Sequence, residues 1–205
     1  MKTLSILTLA LLAISAVPSE GQEHKVLMIL KDSPSLDLEL ALQREVGVMK
    51  NMLERSGFQV VTASPSADPL SVGSTALTPE LTLDQVRLSD FEGIILPSMA
   101  VEDETPIPGL AALLREAMAT GKPVAAQTGS VVTLARAGIL KGRRFAYPGV
   151  WVDAVPEFAE AVHAGEALVE DGDLITSAVC PYAARILEAE DGTQALTGAL
   201  IKRLW

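Results

Sequence analysis

Apolar positions fall into short continuous runs separated by longer stretches with helical spacing. Residues 25–30 (KVLMIL) form a near-continuous apolar run, the pattern of a strand covered on both faces. Between residues 38 and 55, Leu38, Leu42, Met49 and Leu53 share one helical stripe, flanked by Ala41, Val48 and Met52. Ser33, Ser35 or Asp37 suits the start of that helix and Gly57 its end. Residues 58–63 (FQVVTA) read as a second strand, and the Ser-, Pro- and Gly-rich stretch 64–79 as a loop with a small hairpin. A third buried strand is predicted over 93–97 (GIILP), a helix over 109–120 ended by Gly121, and a fourth strand over 123–127 (PVAAQ). That strand passes without a linker into a helix over 130–137 closed by Gly138. Leu168, Val169, Leu174 and Ile175 flank the turn EDGD at 170–173, a hairpin signal, and His163 is read as lying in a strand. An amphipathic stretch over 182–204 breaks at Gly192.

Strands alternating with helices predict an α/β fold: a mostly parallel sheet sandwiched by helices, with right-handed crossovers. Such sheets carry their sites at the carboxyl ends of the strands, here the tips after Leu30, Pro97, Gln127 and Ile175. No internal repeat or second domain is evident, and residues 22–205 read as one domain.

The first 21 residues read as an address. Lys2 precedes an apolar run over 4–17, shorter than the roughly 18 residues a membrane span needs. Ser19 and Gly21 are spaced for signal-peptide cleavage after Gly21, with Ala13 and Ser15 as a second location. Removing residues 1–21 takes away Lys2 and Glu20 and leaves the net charge at −10. The expectation is a secreted or periplasmic protein with no stable membrane anchor after cleavage.

Composition narrows the function. Of 205 residues, 16 are Lys or Arg and 26 Asp or Glu, and aromatics make up 4%. An acidic chain of this kind lacks the footprint of a nucleic-acid binder. Mean hydropathy is +0.33, too apolar for a disordered chain. One Cys and two His exclude an intramolecular disulfide framework and argue against a His-rich metal site. No cofactor is expected.

The segment 121–144, GKPVAAQTGSVVTLARAGILKGRR, resembles the ThiJ/PfpI family of the class I glutamine amidotransferase-like superfamily, which includes the Parkinson-associated deglycase. KVLMIL followed by DLEL, DFEGIILP before the third tip, AYPG around Tyr147 and LVEDGDLITS extend the resemblance to residues 25–177. It implies a flavodoxin-like fold and a cysteine on a sharp strand-to-helix turn. There exposed amides favour thiolate, and a glutamate from the loop after the first strand bonds the sulfur. It also implies a homodimer as the common assembly.

This chain differs at those positions. Thr128 stands at the cysteine position, Gly129 at the adjacent histidine and Ser130 at the next glycine; Pro97-Ser98-Met99 replaces P-G-G. Matching DLEL puts Leu36 at the glutamate, and a slipped register offers Asp32, Asp37 or Glu39 instead. A threonine hydroxyl is a poor nucleophile without an adjacent base. A β-branched residue is also unfavourable at positive φ, so Gly129 is expected to absorb the sharp torsion and relax the turn.

Each such residue also has a structural role on offer. Thr128 serves as a ligand hydrogen-bonder, Ser130 as a helix cap, and Asp37 and Glu39 as first-turn carboxylates favoured by the helix dipole. Ser98, Met99, Thr128 and Gly129 are the ligand-pocket candidates. His163 reads as structural and His24 as frayed near the mature terminus. The acidic run Glu102, Asp103, Glu104 reads as a solvated loop or a pocket mouth. Cys180 lies beyond the last matched strand, where members often carry R-G-P. It reads as a buried structural thiol, with a redox or dimer-linking role as the alternative. Three function classes follow: a non-catalytic member with a small-molecule pocket, which we favour; a hydrolase or glyoxalase-type enzyme with altered residues; and an interaction module, such as a homodimer.

Overall fold

A computed structural model describes residues 23–31, 37–73, 75–98 and 107–205. The apolar leader, Asp32, Ser33, Ser35, Leu36, Met99 and the acidic run Glu102–Glu104 lie outside the described residues. In chain order, β1 is Lys25–Ile29; helical residues then run on through α1 (Leu38–Leu40), a π-helical turn (Ala41–Val46) and α2 (Gly47–Arg55). β2 (Gln59–Ser64) leads to a hairpin of β3 (Leu70–Val72) and β4 (Thr75–Leu77), then β5 (Leu81–Thr82) and β6 (Gly93–Leu96). Next come α3 (Leu110–Ala119), β7 (Val124–Gln127), α4 (Gly129–Arg136), β8 (Arg144–Phe145) and β9 (Val162–His163). The chain closes with β10 (Leu168–Asp171), β11 (Leu174–Ser177), α5 (Pro181–Leu187) and α6 (Thr193–Leu204).

Seven strands form the main sheet in the order β10-β11-β7-β6-β1-β2-β5. Every pairing in it is parallel except β10 with β11, the hairpin of the EDGD turn. From β1 the chain crosses to β2 on one side, and β6 returns on the other, so the order reverses beside β1. Crevices at such reversals, at the carboxyl ends of strands, are where open α/β sheets bind ligands.

Alternation along the strands sorts the core into two layers. Leu27, Ile29, Ile94, Leu96, Val124 and Ala126 face α3 and α4 through Leu114, Ala117, Val131 and Leu134. Val26, Met28, Ile95, Ala125 and Ile175 face α2 and α6 through Met49, Leu53, Leu196 and Leu200. Strands buried on both faces carry no polar stripe, which explains the unbroken apolar runs.

Two features depart from expectation. The helix from Leu38 to Arg55 is interrupted by the π turn, whose wider spacing bonds Gly47 N–H to the Leu42 carbonyl. A Cβ on Gly47 would lie 3.1 Å from that carbonyl oxygen, so glycine suits this close approach. His24 is not frayed. Its Nδ1 is 2.5 Å from Glu92 Oε1, and its ring packs against Phe58 and Trp205. A charged partner and two aromatic neighbours hold what sequence position alone marked as a loose end.

Candidate functional site

The tip of β7, the fourth strand read from the sequence, carries a sharp backbone turn. β7 ends at Gln127, and Thr128 N–H still donates to the Ser177 carbonyl of β11 at 2.8 Å. The chain must then turn at once into α4, which starts at Gly129. Thr128 makes that turn with φ 36° and ψ −100°, one of two non-glycine residues at positive φ among those described. The expectation that Gly129 would take up the torsion is corrected: Gly129 is already helical, so the β-branched residue bears the strain. Such a conformation costs on the order of 1–3 kcal/mol and persists only where its surroundings enforce it.

Those surroundings are hydrogen bonds. Thr128 Oγ1 donates to the Ala178 carbonyl at 3.0 Å, and Gln127 Nε2 donates to the Val179 carbonyl at 2.8 Å. Together they tie the elbow to the chain leaving β11. Ser130 does not cap α4, contrary to expectation. Its Oγ donates to the Pro97 carbonyl at 2.5 Å, because the helix starts at Gly129 and leaves Ser130 inside the first turn facing the β6 tip.

Ser98, at that tip, joins two elements. Its Oγ accepts from Gly129 N–H at 3.3 Å, and its own N–H donates to Glu45 Oε1 at 2.6 Å. Glu45 projects from the π turn and is 2% exposed. Burial pushes its carboxyl up to about 8; the Ser98 N–H works against that rise, and Asp191 adds to it. At neutral pH Glu45 is therefore mostly an uncharged acid.

The residues expected to supply this acid lie elsewhere. Asp37 is exposed, caps α1 by accepting from Leu40 N–H at 3.1 Å and pairs with Arg185 at 3.1 Å. Glu39 is exposed too and accepts from Gln43 at 3.2 Å. Glu45 was missed because DLEL fixed the register too early in the chain; the π turn and the longer helical run place the inward carboxyl six residues beyond Glu39. A lone Glu at a buried stripe position, beside Leu42, Val46 and Met49, was the available signal.

Cys180 also belongs here. It is 3% exposed, and Ala183 N–H donates to its Sγ at 3.5 Å. Burial raises the thiol's pKa first and the Glu45 carboxyl second, while hydrogen bonds from Ser98, Ala183 and Thr128 lower it. The sequence placed this thiol outside the matched region; the fold brings it against the elbow from the far side.

The remaining candidates are structural neighbours. His163 Nε2 bonds the Tyr147 carbonyl at 2.8 Å. Tyr147, from the AYPG motif, has its hydroxyl pKa raised by burial and then by Cys180, with Arg136 opposing. A cavity of about 10 Å³, room for about one water, lies beyond Ser130 between Leu30, Lys31, Pro97, Ile107 and Thr133.

An elbow after β7 of a mostly parallel sheet, with a buried acid reaching it from the first helix, defines a class of α/β domain. Residues 24–189 match the model of the DJ-1/PfpI family, and the chain belongs to that family. It is 31% identical over 102 residues to a deglycase of Pyrococcus horikoshii, covering 49% of this chain and 60% of that one. It is 28% identical over 197 residues to an uncharacterized protein of Methanocaldococcus jannaschii, covering 89% and 92%. The fold is similar to a ThiJ/PfpI domain protein of Brachyspira murdochii, with a TM-score of 0.68 at 16% identity over 90% of this chain and 98% of that one. It is also similar to a two-domain DJ-1/ThiJ/PfpI-like and ferritin-like protein of Anabaena variabilis, with a TM-score of 0.67 at 23% identity. There it covers 89% of this chain and 48% of the other.

Proposed function

We propose that this chain is an exported DJ-1/PfpI domain whose elbow no longer performs the family's cysteine chemistry and serves a non-catalytic, small-molecule-binding or stress-related role. One observation carries the reading: Thr128 Oγ1 commits its proton to the Ala178 carbonyl, which is not a base. An alcohol becomes a nucleophile only when a base takes that proton. The acid linked to the elbow, Glu45, is uncharged at neutral pH and accepts the Ser98 N–H rather than a hydroxyl proton. Export rests on the charged start, short apolar run and small-residue exit of the first 21 residues.

A second reading is favoured by the torsion at Thr128, since backbone strain collects at working sites. In that reading the elbow keeps a hydrolase or glyoxalase-type activity with altered residues, as the similarity to a deglycase suggests.

The test assays purified mature protein against methylglyoxal, simple esters and peptides, beside Thr128→Ala. The expected result is no turnover above the variant. Activity that disappears in Thr128→Ala overturns the non-catalytic reading. A thermal-shift screen with small carbonyl compounds and sugars addresses binding: a true ligand at about 100 times its Kd adds about 2.7 kcal/mol.

A further inference from the structure

We draw no further inference here: the strongest candidate, the exposed apolar face of α5 formed by Tyr182 and Ile186, carries nothing, because nothing in the structure shows what covers it.

Discussion

The Ser98 N–H donates to Glu45 Oε1 across 2.6 Å, joining the tip of β6 to the π turn of the first helix. A buried acid whose pKa lies near neutral makes the stability of the fold depend on pH. Its folded pKa of about 8 lies above the unfolded value, so between about pH 4.5 and pH 8 the folded state binds more protons. Stability from this group is full below that window and is lost as pH rises through it. Chemical denaturation across the window should show that decline. Glu45→Gln, which keeps shape and an acceptor but cannot ionise, should flatten it and gain on the order of 1 kcal/mol or more at neutral pH. A stability curve unchanged by the substitution would show that Glu45 does not titrate in this range.

The elbow itself separates strain from hydrogen bonding. Thr128→Gly relieves the positive φ and loses the bond to the Ala178 carbonyl; Thr128→Ala keeps the strain and loses the same bond. The glycine variant should therefore be the more stable of the two by about 1 kcal/mol. Thr128→Ser, which retains the hydroxyl, should stay within about 1 kcal/mol of the parent. Urea midpoints of the three variants measure this order.

Beneath the elbow, Gly192 opens α6 against Ser177. A Cβ at Gly192 would overlap Ser177 Oγ and lie 3.2 Å from the Val179 carbonyl oxygen. Gly192→Ala should cost about 1–3 kcal/mol by overpacking. Ser177 Oγ has no hydrogen-bond partner among the described residues, so Ser177→Ala should be mild and should recover part of that cost. A double-mutant cycle in thermal stability with no coupling between the two sites would contradict the packing described.

Asp37 is a helix cap whose second oxygen meets Arg185 at the surface. Asp37→Ala should cost about 0.5–1 kcal/mol, mostly the cap, since exposed ion pairs add little. Urea denaturation of the variant beside the parent measures this cost. A loss well above about 1 kcal/mol would show that the pair with Arg185 contributes more than an exposed ion pair should.

Much of this fold is legible in the apolar runs, because strands buried on both faces cannot hide among polar residues. Residues 25–30, 93–97 and 123–127 each emerge as strands within a residue or so of the expected limits. The hairpin around EDGD and the break at Gly192 were equally plain, since turn residues and glycine mark them directly. The short strand Leu81–Thr82 and the pairing of β8 with β9 were not read, because two-residue strands carry no periodicity. At the site, Thr128 and Ser98 could be placed from the strand ends alone. Glu45 and Cys180 could not. One depends on a π turn that shifts helical phase, and the other on where the chain goes after β11, which local pattern does not encode. The torsion was assigned to Gly129 on residue preference, and the ties of Gln127 and Thr128 to the Val179 and Ala178 carbonyls show why preference lost.

The central claim is that the Thr128 hydroxyl does not attack carbon. Incubating the mature protein with an excess of a reactive acyl or carbonyl electrophile, then mapping adducts by peptide mass spectrometry, tests it most directly. The account predicts an unmodified Thr128 peptide at every time point. A covalent adduct on Thr128 oxygen, formed only in folded protein and blocked by Thr128→Ala, would contradict it.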